Sequence, residues 1–164
     1  MTMETPPRDP PAPPLPGHPP AETAAASPLA VIVGAAVDLL STTAFQFIYD
    51  VMLAMRLGDG GAFDQEQVER TLGLLPHRLT LYAAGGGMSV LGGFVAGRIA
   101  RRNELWHGVA AGFLSVLIGK ILSSSTPAVV SLDAADKVMN ALATPLTIAS
   151  AALGGFLAVR YRRR

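Results

Sequence analysis

The chain contains no cysteine. That excludes disulfides, thiolate metal sites and a cysteine nucleophile. Charge is scarce as well. Asp, Glu, Lys and Arg make up 15% of the 164 residues, where a soluble domain carries about a quarter. Half of the residues are apolar and the mean hydropathy is +0.39. A chain this small and this apolar reads as a membrane protein. The formal net charge is only +1, so the strongly basic face that nucleic acid requires is missing and no nucleic-acid partner is expected.

The usual marks of chemistry are missing too. The three histidines stand at His18 near the start, His77 and His107, and the span arrangement below puts His77 and His107 about a bilayer apart. They cannot share a metal within one chain. Gly119-Lys120 ends an apolar run, but no glycine stands at P-loop spacing and no Ser or Thr follows. The glycines of "GGGMSVLGG" lack dinucleotide-loop spacing, and "SSS" at 123–125 has no acid–base context. The expectation is a protein with no catalytic residue, no metal and no cofactor.

Residues 1–28 hold ten of the thirteen prolines. Such a stretch forms no helix and buries little, so it reads as a disordered, polyproline-like solvated spacer. Four apolar segments follow: 29–55, 79–97, 105–122 and 139–159. About 20 mainly apolar residues cross a bilayer, and in lipid the backbone must bond to itself, so these are helices. The fold class is all-α: a four-helix transmembrane bundle over 29–160, followed by a basic end at 161–164.

Orientation follows from the basic residues in short flanking loops. Arg98, Arg101 and Arg102 crowd the turn between the second and third segments, and the chain ends "RYRRR". An even number of spans places both clusters on one side. The alternate loops, 56–78 and 123–138, are acidic or mixed. Both termini are therefore expected in the cytoplasm, with the three arginines as the topological lock and Glu104 placed to pair with one of them. Within 56–78, Asp64 has the spacing of a helix cap with Gln67, Phe63 and Val68 that of a hydrophobic staple, and Pro76 stands as a stop. This predicts a short amphipathic helix over about 64–75.

Small residues allow helices to approach closely in lipid. Gly93/Gly97 and Gly108/Gly112 form G-x-x-x-G pairs on either side of the arginine turn. They fit two arrangements, a tight hairpin of the second and third spans or a homodimer. Tyr82, Trp106 and Tyr161 stand at predicted span ends, where aromatic anchors belong, with His107 beside Trp106. Pro145 is expected to kink the fourth span.

The polar residues inside spans are Asp38, Asp50 and Lys120. Asp38 lies about nine residues into the first span, ~13 Å deep, close to the midplane. An intramembrane carboxyl costs ~2.5–3.5 kcal/mol to insert and is a functional candidate. Ser41 and Thr42 follow it by one turn. Two readings stand for it: a carboxyl held by Ser and Thr groups, or an ion- or proton-coupled group. Lys120 has three options, snorkelling to the surface, meeting Asp50 or reaching toward Asp38.

The stretch "GGFVAGRIARRNELWHGVAAGFLSVLIG", 92–119, resembles a hairpin of small uncharacterised bacterial four-helix membrane proteins. In them a "GG-aromatic" helix end running into "R-I-A" is followed by a basic turn and an "L-x-H-G" start. The resemblance implies the four-span layout and multi-pass residence in a bacterial inner membrane, and no function. A carboxylate in the first of four spans is also similar to small multidrug transporters, although here it is Asp in place of Glu and the residues around it differ. The functional expectation is a non-enzymatic packing or scaffolding component, whose partners are the lipid bilayer and a second copy or another membrane protein. The alternative is a small proton- or ion-coupled transporter or channel subunit using Asp38.

Overall fold

A computed structural model describes residues 27–58, 65–124 and 134–163. The proline-rich tail up to residue 26, the Asp64 cap, the Phe63 staple and most of the 123–138 loop lie outside the described residues. Among the described residues five helices follow in order: α1 Pro28–Leu57, α2 Gln65–Leu72, α3 Leu75–Ala100, α4 Glu104–Ser124 and α5 Ala134–Arg162. Among the described residues there is no strand. Helices α1, α3, α4 and α5 are each long and apolar enough to cross a membrane.

All four run past the apolar segments that predict them, because helical backbone continues into the flanking polar residues. Helix α1 starts one residue early, at Pro28, with Ser27 as its cap. The Ser27 hydroxyl accepts from the Ala30 N–H, and a proline in the first turn forfeits no helical hydrogen bond. The same rule corrects the expected stop at Pro76. Helix α2 ends at Leu72, Gly73 and Leu74 turn the chain, and Pro76 opens α3. Helix α5 runs through Pro145 without a break.

Helices α3 and α4 form the middle of the bundle. Helix α1 packs against both from one side and α5 against both from the other, while among the described residues α1 and α5 do not meet. The start of α1, the α3–α4 turn and the end of α5 share one end of the bundle, which also holds Arg98, Arg101, Arg102, Arg160, Arg162 and Arg163; it is called the basic end below. Helix α2 lies against α1 and α3 at the opposite end, with Val68 buried.

The packing is the reverse of a soluble core. No large side chain among the described residues is fully buried, and the innermost residues are Ala30, Ala35, Ala96, Ala111, Ala151 and Ala158. Leu40, Phe47, Phe113, Leu142 and Phe156 all point outward. In water this would expose apolar surface on every side. In lipid it is the stable arrangement, because only close packing of small residues draws helices together there. Four apolar helices built this way make a multi-pass membrane protein.

Adjacent glycines divide the labour. On α3, a methyl group on Gly92 would lie 2.6 Å from the Gly34 carbonyl oxygen of α1, whereas one on Gly93 would collide with the Ala151 carbonyl of α5. On α5, one on Gly154 would collide with the Val90 carbonyl of α3, and one on Gly155 would lie 2.6 Å from the Glu104 carbonyl oxygen of α4. Successive helical residues point about 100° apart, so a glycine doublet admits two neighbours at backbone distance.

Helices α3 and α4 do pack on each other as a hairpin, but their glycine stripes are not matched to one another. The glycines of both G-x-x-x-G pairs are covered within the chain, but mainly by α5 and not by each other. Gly93, Gly108 and Gly112 all close on Ala151, and Gly97 closes on Ala158. Helix α5 supplies the small residues that fit both stripes, so it wedges against the two helices together. Beyond mid-height the packing loosens. A methyl group on Gly85, Gly87 or Gly119 would meet nothing within 4 Å.

Candidate functional site

Three helices bring polar groups to one level. Asp38 is ten residues from the start of α1, Ser89 eleven from the end of α3, and Ser115 eleven from the start of α4. At 1.5 Å per residue all lie ~15–17 Å from the basic end, half-way through a hydrocarbon core of ~30 Å. Close approach at Gly34 and Gly92 sets them face to face: a methyl group on Gly92 would lie 2.8 Å from Asp38 Cβ.

Asp38 is 5% exposed. Its Oδ1 accepts from Ser89 Oγ at 3.0 Å and, at 3.5 Å, from Thr42 Oγ1. Ser115 faces the same carboxyl group without closing a hydrogen bond, and its buried Oγ has no partner. Ser41, expected beside Thr42, turns away and donates to the Val37 carbonyl at 2.6 Å. No cation approaches the carboxyl group among the described residues. Its whole support is hydroxyl.

The Ser89 hydroxyl has two acceptors at equal distance, Asp38 Oδ1 and the Gly85 carbonyl oxygen, each 3.0 Å away. That geometry satisfies both states of the acid. A charged Asp38 accepts the Ser89 proton. A protonated Asp38 donates to Ser89 Oγ, and Ser89 then donates to Gly85. The Ser89 hydrogen bond to the acid is thus kept in both states, while Ser115 Oγ stays without a partner.

Gly85 is also part of the wall of a cavity of about 580 Å³ in the looser half of the bundle, between α1, α3 and α5. Thr42, the second donor to Asp38, lines it as well, with Gln46, Arg78, Tyr82, Asn140 and Thr147 among apolar neighbours. Tyr82 is thus half-buried in this wall, while Trp106 and Tyr161 are exposed as anchors would be. The carboxyl group sits just below the cavity floor, one hydroxyl away on each side.

The other candidates lie apart. Lys120 is exposed on α4 and, among the described residues, pairs with neither Asp38 nor Asp50. Asp50 stands at the far end of α1, in a recess of about 510 Å³ formed with α2, and its Oδ1 is buried without a hydrogen bond. Nearby Tyr49 Oη and His77 Nδ1 share a hydrogen bond of 2.5 Å, joining α1 to α3. No three His, Asp or Glu side chains converge among the described residues.

At the basic end, His107 is buried, not exposed at an interface beside Trp106. Its Nδ1–H donates to the Asn103 carbonyl at 3.0 Å, and its Nε2 accepts the Ser27 N–H at 2.9 Å. The first free N–H of α1 is thereby tied to α4. Glu104 pairs with Arg162 of α5 at 2.8 Å and not with an arginine of its own turn, because the turn directs Arg98, Arg101 and Arg102 outward while α5 ends across from Glu104. Two features of the site are absent from the sequence reading, Ser89 and the His107 clasp. Counting residues from the basic end would have found Ser89, since it is level with Asp38.

Compared with protein-family models, curated proteins and solved structures, the chain matches none.

Proposed function

We propose that this protein binds a proton or small cation at Asp38 and serves as a small proton- or cation-coupled transporter or channel subunit, without catalysing a covalent reaction. The observation that carries the reading is the Ser89 hydroxyl, poised between Asp38 and the Gly85 carbonyl oxygen on the cavity wall. A buried carboxyl group in a span is costly unless it has a partner or a task. Here the partners are neutral and serve both protonation states. The basic end faces the cytoplasm of a bacterial inner membrane in this proposal, supported by the arginines gathered there. The cavity then opens toward the outer half.

The test is flux. In proteoliposomes carrying a pH-sensitive dye, the native chain moves protons or monovalent cations, and Asp38→Asn abolishes the signal while keeping its helical content. Equal flux from both, or none from either, contradicts the proposal. Orientation has its own check, made simple by the lack of native cysteines. In intact cells an impermeant maleimide labels Gly60→Cys and spares Asn103→Cys; the opposite pattern reverses the orientation.

The cavity also favours a second reading, that of a packing component. Among the described residues its two walls, α1 and α5, do not touch each other, leaving room for a helix from another membrane protein or a second copy. A bifunctional thiol reagent acting on Ala143→Cys would link two copies if a second chain occupies the groove.

A further inference from the structure

The arginines of the basic end do more than add charge. Arg98, Arg101 and Arg162 line a cavity of about 390 Å³ whose floor is Gly97 and Ala158, packed together. A neighbouring recess of about 460 Å³ shares Arg101, Glu104 and Arg162 and adds Arg102 and Arg163. Five arginines thus surround one glutamate, which already pairs with Arg162.

Arg162 is fixed in place. One guanidinium nitrogen donates both to Glu104 and to the Arg101 carbonyl oxygen. The side chains of Arg98 and Arg101 make no hydrogen bond or ion pair among the described residues. Arg101 also caps α3 at φ 56 and Asn103 follows at φ 51, a left-handed backbone that glycine would adopt more easily. A lock that only sets topology needs positive charge on one side. It needs no cavity, no anchored guanidinium and no arginine at a strained cap. Left-handed non-glycine backbone of this kind clusters at active sites and ligand clamps.

We infer that Arg98, Arg101 and Arg162 form a binding site for a phosphate group, placed at the depth where the headgroup of an anionic phospholipid lies. Arginine forks match phosphate oxygens in pairs, and a tetrahedral phosphate has enough acceptors for several forks at once. Basic recesses between spans at the membrane surface suit anionic headgroups. Glu104 sets the geometry by holding Arg162 through one guanidinium nitrogen, leaving its other N–H groups, with those of Arg98 and Arg101, for the ligand.

The full-length protein in neutral detergent tests this through its thermal unfolding midpoint. Phosphatidylglycerol raises the midpoint and phosphatidylcholine does not. Arg98→Lys/Arg101→Lys keeps every charge, and with it the topology, but needs roughly tenfold more phosphatidylglycerol for the same rise. Arg160→Gln removes a charge at the same end but away from the cavity, and responds as the native protein does. A response to inorganic phosphate equal to that to the lipid keeps the site and assigns it to free phosphate. No response to any of these, an equal response to phosphatidylcholine, or a lysine variant indistinguishable from the native protein overturns the inference.

Discussion

The two halves of this bundle are built from the same residues put to opposite use. From the basic end to mid-height, glycine and alanine bring four helices to backbone contact. Gly93, Gly108 and Gly112 all meet Ala151 there. In the other half the helices still carry glycines, at Gly85, Gly87 and Gly119, yet nothing approaches them and a cavity opens between α1, α3 and α5. The lesson is that a glycine in a membrane helix is not itself a contact. It becomes one where the facing helix offers a small residue at the same height. Asp38 sits where the two regimes join, with tight packing below it and the cavity floor above.

Substitutions at matched glycines break or sharpen this contrast. The largest effect is expected for Gly93→Ala, where the new methyl group meets the Ala151 backbone, which cannot swing aside as a side chain can. A loss of about 3 kcal/mol or more is expected, seen as a fall in the unfolding midpoint in detergent and in monodisperse yield. Gly87→Ala, in open surroundings, is expected to be neutral or to gain ~0.5–1 kcal/mol from helix propensity. Equal damage at both positions would erase the distinction.

Next in size is His107→Ala. It frees the Ser27 N–H and the Asn103 carbonyl at the tight end, a cost of ~1–3 kcal/mol. Protease cleavage near residue 27 should quicken with it. Ser89→Ala should cost ~1–2 kcal/mol and lower the flux assigned to Asp38 without abolishing it, since Thr42 still reaches the carboxyl group. The smallest effect belongs to Arg70→Ala on α2. It breaks an exposed pair with Glu66 and should shift stability by no more than ~0.5 kcal/mol.

Most of the architecture was legible in the chain. Apolar runs of spanning length leave a helix as the sole way to satisfy the backbone in lipid, so the four spans could be read directly. The helix boundaries were less so, because Pro76 has the same local signature whether it stops one helix or starts the next. The glycine stripes were visible, but their partner was not. A G-x-x-x-G spacing says that something comes close and does not say which helix. Asp38 stood out as a buried charge type in an apolar run. Ser89 did not, since a serine in a span is ordinary until its height is compared with that of Asp38. Glu104 and Arg162 are far apart in sequence, and only the return of α5 to the basic end brings them together.

The proposed function requires Asp38 to gain and lose a proton within the membrane, on its own or in exchange for a cation. Infrared difference spectroscopy reads this directly, through the carbonyl stretch that a carboxylic acid shows only when protonated. Titrating the reconstituted protein should make that band appear and disappear in the native chain. In Asp38→Asn the band should be missing, and in Ser89→Ala it should move. A native spectrum with no such band change, or one that Asp38→Asn reproduces, would contradict the account.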